Sequence, residues 1–199
     1  DPEARFAAGK LLDARRPELL DGAWDLIARS GCAWRAGQGR PDGEAWNLQK
    51  PIALAPFTAA LFRRPLFDEV GPLEERFESY LEDIEFGLRC ARAGRRGVYT
   101  PLARAAHWGS ATLGRWHPEV ARRISRNQLL LVAKHFPPDG WLRYGWPVAV
   151  GQALWGLVAL RHGAGWAWLR GKAEGLRRFG EFRRERRAGS IEDLLCESE

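Results

Sequence analysis

The sequence contains no methionine and only three cysteines. Because natural chains start with methionine, its absence predicts a fragment or a processed product. Cys32, Cys90 and Cys196 lie far apart with no Cys-x-x-Cys spacing, which argues against a disulfide framework or a zinc site and indicates a reducing compartment. The opening DPEARFAAGK also lacks the apolar segment of a signal peptide.

The composition is that of a globular protein with an excess of basic residues. The 199 residues suffice for one ordinary domain plus an appendage, and 45% of them are hydrophobic. The net charge of +6 raises the possibility of a nucleic-acid binder. We do not favour that class, because the sequence shows no nucleic-acid-binding motif and its basic residues concentrate beside an apolar segment near the C-terminus.

Against this basic background, acidic residues crowd into one short stretch of the sequence. A solvated helix face is the plain explanation of such a cluster. The spacing of apolar residues around it predicts a helix from about Glu82 to Ala93, ended by Gly94. The acidic residues of this stretch are Glu74, Glu75, Glu78, Glu82, Asp83 and Glu85.

Two of these carboxylates would occupy the first turn of the predicted helix. The helix dipole favours ionised Glu82 and Asp83 there, where a carboxylate can serve as a general base at the mouth of a pocket. Two short strands, GVYT and ARAAH, are predicted to follow, joined through Pro101, with His107 ending the second. This path can bring Asp83 and His107 to the same rim.

The same stretch carries a family resemblance. Ala60-Leu61-Phe62-Arg63-Arg64 precedes a VGPLEERF turn, a Y-x-E-D-x-E motif at Tyr80 to Glu85, an LR…AG run, a proline before a strand, and His107 followed by Gly and Ser. This ordered set resembles the C-terminal half of the catalytic domain of family 2 glycosyltransferases, closest to the rhamnosyltransferase-like branch. The resemblance covers roughly residues 3 to 137. It implies an α/β fold, the C-terminal portion of a GT-A (Rossmann-like) domain, followed by amphipathic helices.

The resemblance also implies roles for individual residues. Asp83 would deprotonate an acceptor hydroxyl that attacks a nucleotide-sugar with inversion, and Glu82, the second catalytic residue, would shape the acceptor site. His107 would help hold a divalent metal, Mg²⁺ or Mn²⁺, on the leaving diphosphate; the alternative is a hydrogen-bonding core histidine. The remaining implied contacts are acceptor binding by Glu85, Tyr80 and Trp108, where a packing anchor is the alternative for Trp108. Arg126 and Arg123 would face either the donor diphosphate or an anionic membrane. Rhamnose from a thymidine diphosphate donor is what the nearest branch implies.

Upstream of the motifs we predict strands and loops. Phe6 to Leu12 is a predicted strand, and the apolar Ile52 to Phe62 stretch is predicted to be a buried strand. The Gly-rich segment Arg35 to Glu44 is either a plain flexible loop or, through Arg35 and Arg40, a phosphate contact. The nucleotide-binding βαβ half that such enzymes carry is not found, so we expect this chain alone to be inactive.

The C-terminal third predicts helices that bind a membrane. His117 and Pro118 open a helix in which Asn127 is expected to form structural hydrogen bonds, and Pro137 to Gly140 predicts a domain boundary. Trp141 to Leu160 is apolar and rich in tryptophan, and an arginine-rich helix follows. This pattern favours an anchor lying in the plane of an anionic membrane over a span or a soluble helical hairpin.

These patterns give a domain division and a function. We predict a partial catalytic domain at 1–137, membrane-associated helices at 138–188 and a loose acidic tail at 189–199. The predicted function is transfer of a sugar from a nucleotide-sugar to a lipid-linked or polysaccharide acceptor at the cytoplasmic face of the bacterial inner membrane. A non-catalytic scaffold with the same partial fold is the alternative, and no nucleic-acid partner is expected.

Overall fold

The computed structural model describes residues 3–137, 141–186, 189 and 191–196, and it is a mixed α/β structure. The chain forms two compact units. The sheet unit comprises, among the described residues, 3–26, 34–74 and 83–111; the helical unit comprises 27–33, 75–82 and the part from 112 onward. The α/β class predicted from the sequence is therefore confirmed, and each unit is described by itself below.

A mixed sheet forms the framework of the sheet unit, with β1 (Phe6–Asp13) at its centre. β1 pairs in parallel with β7 (Gly97–His107) and antiparallel with both β2 (Leu20–Gly22) and β6 (Ala60–Phe62). β5 (Lys50–Ile52) pairs antiparallel with the other side of β7. The parallel pairing carries β7 along the full length of β1 as far as the Asp13–His107 pair. The register therefore fixes His107 at one end of the sheet.

A small hairpin and a short helix complete the strand-rich part of the chain. The hairpin is formed by β3 (Asp25–Ile27) and β4 (Ala33–Arg35). The loop predicted from Arg35 to Glu44 follows it, and this loop ends in a 3₁₀ turn at Glu44–Trp46. Helix α1 (Arg64–Val70) follows β6 and begins with a proline in its first turn, where the missing N–H costs nothing.

The β1–β7 pairing contains one irregularity, and it corrects a sequence prediction. Gly9 lies opposite Thr100, but the next residue of β1, Lys10, lies opposite Arg104. Three extra residues of β7 therefore bulge beside Gly9, where an added Cβ would lie 2.7 Å from the carbonyl oxygen of Ala103. The two strands predicted on either side of Pro101 are thus one bulged strand, which ends at His107 as predicted.

The predicted buried strand from Ile52 to Phe62 is also wrong in part. Only its two ends form strands, β5 and β6, while the middle is irregular. The apolar residues from Ile52 to Pro56 are buried as expected, but Pro56 has no N–H to donate to a ladder. Apolarity correctly predicted burial here and did not by itself specify a strand.

Helix α2 (Glu82–Arg92) packs on the core of the sheet unit. Its buried face includes Phe86, which stacks on Phe67 at 4.9 Å between ring centroids and meets Phe62 edge-on at 5.6 Å. Gly87 allows the helix to approach closely, since an added Cβ would lie 2.6 Å from Leu54 Cδ2. Gly94 ends the helix with φ +70, as the sequence predicted.

The helical unit is built around α3 (Pro118–His135), which begins where predicted. The His117 ring caps it by accepting a hydrogen bond from the N–H of Glu119 at 3.2 Å. α5 (Gly165–Arg184) lies against α3 through glycines, because a Cβ at Gly171 would lie 2.2 Å from the carbonyl oxygen of Arg122. A short π-helical turn at Trp141–Gly145 leads into α4 (Trp146–Arg161). Within the described residues, no helix combines the length and apolarity needed to cross a bilayer.

The predicted loose tail is wrong where the structure describes it. Helix α6 (Glu192–Cys196) forms there, and Ile191, Leu194 and Leu195 are buried. These three apolar side chains outweigh the acidic character of the segment. The break predicted at Pro137 to Gly140 falls largely on 138–140, outside the described residues, and the three-part domain division stays a prediction.

Candidate active site

Asp83 lies in the first turn of α2, as its position in the sequence predicts. Its Oδ1 accepts a hydrogen bond from the N–H of Ile84 at 2.8 Å, and the N–H of Phe57 also donates to this carboxyl group. The side chain is half-buried. Asp83 is therefore held by backbone donors rather than free to rotate in solvent.

The environment of Asp83 acts on its pKa in two opposite directions. Burial raises the pKa, because it removes water from the charged form. The two N–H donors and the positive charge of Arg35 lower it, but burial prevails and the pKa is raised from the ordinary value of 3.8. A carboxylate with a raised pKa is a stronger base than an exposed one.

Arg35 is the centre of a charged cluster in the sheet unit. Its Nη1 donates to Asp21 Oδ2 at 2.8 Å, its Nη2 donates to Thr58 Oγ1 at 3.1 Å, and its Nε lies 3.5 Å from Asp25 Oδ1. The sequence suggested Arg35 as a phosphate contact or a loop residue. In the structure its guanidinium faces carboxylates, and it acts electrostatically on Asp83 as well.

Asp21 is a residue that the sequence analysis missed. Its Oδ2 lies 2.8 Å from Nδ1 of His107 as well as from Arg35, so a single oxygen joins the two side chains. The Asp21 side chain is only 11% exposed, whereas that of His107 is 35% exposed. Asp21 therefore joins His107 to Arg35, whose charge also acts on Asp83. That Asp83 and His107 share one rim stays a prediction. No local motif marks Asp21, because it is the pairing of β2 with β1 that brings it close to His107.

An exposed aromatic ring lies next to His107. Trp108 is 58% exposed, and the Arg15 guanidinium lies over its ring at 5.2 Å from the centroid. Arg15 also donates to the carbonyl oxygen of Gly109 at 3.4 Å. A largely exposed indole at the end of a strand can stack on a sugar, as predicted for the acceptor.

Glu85, a predicted acceptor contact, is fully buried and has a partner inside the protein. Its two oxygens accept from Arg89 Nε at 3.1 and 3.0 Å. Arg89 in turn donates to the carbonyl oxygens of Val70 and Pro72 at 2.6 and 2.7 Å. Glu85 thus fixes the turn after α1 through Arg89. Its acceptor role stays a prediction without support from these contacts.

The other predicted site residues belong to the helical unit and hold a strained loop. Glu78, Tyr80 and Leu81 all have positive φ, between 62° and 74°. Nδ2 of Asn127 on α3 faces the carbonyl oxygens of Phe77, Ser79 and Tyr80 at 2.9, 3.1 and 2.7 Å. The prediction that Asn127 is a structural hydrogen-bonding residue is confirmed. Glu82, the predicted partner of Asp83, is half-buried where this loop enters α2.

Arg126 and Arg123, the predicted donor-diphosphate contacts, pair with carboxylates. Arg126 is 4% exposed and donates to Glu78 Oε1 at 2.7 Å and to the carbonyl oxygen of Phe77 at 2.9 Å. The guanidinium of Arg123 lies 3.5 Å from Glu78 Oε2. The Arg126 guanidinium is thereby buried against the protein, whereas the Arg123 side chain is 29% exposed. The diphosphate role stays a prediction for both, and the burial of Arg126 does not favour it there.

His107 is the predicted protein ligand of the metal. Within the described residues, no group of three or more His, Cys, Asp or Glu side chains is arranged to hold an ion. With Nδ1 of His107 turned to Asp21, Nε2 is the ring nitrogen that can face a ligand. Mg²⁺ and Mn²⁺ are commonly bound by few protein groups together with substrate phosphates. His107 fits such a site as a single ligand, and it does not fit a cage made by the protein alone.

Comparison with known proteins relates the chain to bacterial sugar transferases. No family model matches it. The chain is similar to two mycobacterial rhamnosyltransferases. These are the N-acetylglucosaminyl-diphospho-decaprenol L-rhamnosyltransferases of Mycobacterium tuberculosis strains CDC 1551 / Oshkosh and ATCC 25618 / H37Rv, each 30% identical over 114 residues. The similarity covers 57% of this chain and 35% of each relative, so the chain spans about a third of the length of these curated relatives.

Proposed function

We propose that the chain is the base- and acceptor-binding part of an inverting GT-A glycosyltransferase, with Asp83 as the general base. The observation that carries this is the Asp83 carboxyl, held by the N–H groups of Ile84 and Phe57 at the start of α2, with its pKa raised by burial. The similarity to rhamnosyltransferases supports the reaction class.

The proposed reaction is a single displacement at the anomeric carbon. Asp83 takes the proton of an acceptor hydroxyl, whose oxygen forms the new glycosidic bond while the bond from the anomeric carbon to the nucleoside diphosphate breaks. Attack from the face opposite the leaving group inverts the configuration. A positioned base contributes about 10²–10⁴-fold to such a step, since a sugar hydroxyl is a poor nucleophile.

The remaining groups follow from the same proposal. A divalent cation at Nε2 of His107, Mg²⁺ or Mn²⁺, would neutralise the charge of the leaving diphosphate. Trp108, with Arg15 over its ring, would stack on the acceptor sugar. The relatives' names specify an N-acetylglucosaminyl-diphospho-decaprenol acceptor. We propose an acceptor of this kind, a sugar on a lipid diphosphate, together with a nucleotide-sugar donor.

The test is Asp83→Asn in the full-length protein, with thymidine diphosphate rhamnose among the donors and prenyl-diphosphate N-acetylglucosamine as acceptor. We expect transfer to fall by about 10²-fold or more, while donor affinity is retained, because the change removes the base and leaves the diphosphate contacts. Asp68→Asn, on the exposed face of α1, is the matched control and should transfer normally. An equal loss of donor affinity in Asp83→Asn would contradict the base role. Absence of both donor binding and transfer in the parent protein would favour the scaffold alternative.

A membrane surface belongs to this proposal because the helical unit exposes a long apolar face. Six large apolar side chains of α4 are between 40% and 66% exposed. A soluble surface seldom presents such a continuous strip without a partner. They are Trp146, Val150, Leu154, Leu157, Val158 and Leu160.

The charges near this face favour an anionic bilayer as the partner. Arg161 follows the strip, and α5 exposes Arg170, Arg177 and Arg184 beside Trp166 and Leu169. The carboxylates of α5 are occupied, since Glu174 pairs with Arg122 and Glu181 lies 2.6 Å from Arg76. We propose that α4 and α5 lie in the plane of the cytoplasmic face of the bacterial inner membrane.

Vesicle sedimentation tests the membrane surface independently of catalysis. We expect the chain to bind vesicles containing phosphatidylglycerol more strongly than pure phosphatidylcholine vesicles. Leu154→Ser with Leu157→Ser should weaken binding by about tenfold or more, because each leucine loses buried apolar area. Leu61→Ser with Leu102→Ser, which are even more exposed apolar residues of the sheet unit, should leave binding unchanged. Equal loss in both pairs, or a dimer in solution that only the first pair disrupts, would contradict a lipid partner.

A further inference from the structure

The contact between Asp21 and His107 restricts which nitrogen of the ring carries the proton. Asp21 Oδ2 lies 2.8 Å from Nδ1, a hydrogen-bond distance. Arginine can only donate, and Arg35 Nη1 donates to that same oxygen at 2.8 Å. Oδ2 of Asp21 is thereby held as an acceptor. An acceptor at Nδ1 requires that Nδ1 carry a hydrogen, and in the neutral ring this leaves Nε2 with its lone pair.

The backbone around Asp21 is shaped to keep these three side chains together. Gly22 has φ +153, and a Cβ there would lie 2.0 Å from both Cγ and Cδ of Arg35, so the Arg35 stem passes directly over it. A Cβ at Gly109 would lie 3.1 Å from Asp21 Oδ1. The peptide carbonyl of His107 is fixed as well, since it accepts from the N–H of Ala14 at 3.0 Å. A larger side chain at either glycine would displace Arg35 or crowd Asp21.

We propose that Asp21 is a positioning residue: it holds His107 as the Nδ1–H tautomer, with Nε2 directed out of the cluster as an acceptor for a divalent cation. The cation rests on the function proposed above, whereas the tautomer follows from the contacts of Asp21 alone. Carboxylate–histidine pairs of this kind orient metal-binding histidines and raise the basicity of the ring.

Asp25 provides a matched control within the same cluster. It is a buried aspartate that also faces Arg35, with Oδ1 3.5 Å from Nε, but it lies on β3 and the contact to Nδ1 of His107 is made by Asp21. Replacing Asp25 by asparagine removes one negative charge next to Arg35, as replacing Asp21 does. The two variants therefore separate a loss of charge in the cluster from a loss of the contact that fixes the ring.

The test is nitrogen-15 NMR of the histidine rings in the chain, at a pH where the rings are neutral, with His107 assigned by His107→Gln. We expect the parent chain to show His107 with a protonated Nδ1 and an unprotonated Nε2. In Asp21→Asn the amide can donate to Nδ1, so the population should move toward the Nε2–H tautomer, and Asp25→Asn should retain the parent pattern. A parent His107 already in the Nε2–H form, or identical tautomers in the parent and Asp21→Asn, would overturn the proposal.

Mn²⁺ titration by electron paramagnetic resonance adds a second measurement. Loss of such a positioning contact typically costs 10–100-fold in metal affinity, so we expect about that loss in Asp21→Asn and little change in Asp25→Asn. Equal losses in both variants would contradict a specific role for Asp21. If Mn²⁺ binds none of the proteins, the part of the proposed function that places a cation at His107 is contradicted. The tautomer of His107 measured in the parent chain still tests the role of Asp21, even if a variant does not fold.

Discussion

Arg35 in the sheet unit and Arg126 in the helical unit make similar ion pairs, but their other hydrogen-bond partners and their burial differ. Arg35 donates to two side chains, those of Asp21 and Thr58. Its cluster leads to His107, a third of whose side chain remains exposed. Arg126 is nearly fully buried and donates to a backbone carbonyl, that of Phe77, as well as to Glu78. Both clusters reach solvent, one at His107 and the other at Glu78, whose side chain is 45% exposed; they differ in that the Arg126 guanidinium is buried against the loop backbone.

The difference separates a residue that can serve chemistry from one that serves conformation. Positive φ at bulky residues such as Tyr80 and Leu81 costs on the order of 1–3 kcal/mol each and persists only where neighbouring groups enforce it. Arg126 and Asn127 provide those groups for this loop. Both arginines lie among motif-like residues in the sequence, so only the partners of their guanidiniums show which task each performs.

The largest expected effect breaks the contacts of Asn127 with the loop. Asn127→Asp replaces an amide that donates to carbonyl oxygens with a buried carboxylate that faces them, so it loses hydrogen bonds and adds repulsion. We expect the free energy of unfolding to fall by about 3 kcal/mol or more, measured by urea denaturation of the whole chain. Gln38→Glu makes the same chemical change on an exposed side chain and should stay within about 0.5 kcal/mol of the parent. Comparable losses in the two variants would show that Asn127 does not hold the loop.

Exchanging each arginine for glutamine sharpens the comparison directly. Arg126→Gln should lower the free energy of unfolding by about 2 kcal/mol, because the buried carbonyl oxygen of Phe77 loses a charged donor. Arg35→Gln should instead raise the pKa of Asp83 further, since the positive charge that lowers it is gone. If Asp83 is the proposed base, activity is lost as pH falls through its pKa. Arg35→Gln should therefore move the acid limb of the pH–rate profile of the proposed transfer reaction to higher pH. Arg126→Gln should not move it; equal shifts in both variants would remove the distinction.

Local signals in the sequence were sufficient for α2, Gly94 and the start of α3, because helical periodicity and caps depend on residues close in the chain. They were insufficient at Pro101, where a bulge opposite Gly9 keeps one strand continuous. They also missed Asp21. A carboxylate on a three-residue strand acquires its role only when sheet pairing brings it to a histidine far along the chain, and no spacing rule encodes that.

The smallest expected effect is a gradual change of stability with pH that depends on Lys172. This side chain of the helical unit is hydrogen-bonded to neutral oxygens. Its Nζ donates to the carbonyl oxygen of Ser125 at 2.8 Å and to Gln128 Oε1 at 3.1 Å, and it contacts Gln152 Oε1. Burial lowers the pKa of Lys172 from 10.5 to about 7. Between these values the unfolded chain binds a proton that the folded chain does not, so raising the pH stabilises the folded state.

The stabilisation should approach about 1.4 kcal/mol per pH unit above pH 7, the limit for one proton. Burial raises the pKa of Cys90 and Tyr99 to about 12 each, and raises that of Cys32, so these groups oppose the trend once unfolded thiols begin to ionise near pH 9. Denaturation of the parent and Lys172→Met should therefore be compared between pH 7 and 8.5, where other titrating groups cancel in the difference. A parent slope equal to that of Lys172→Met would mean that Lys172 keeps its proton, and that the neutral oxygens of Ser125, Gln128 and Gln152 hold a charged ammonium after all.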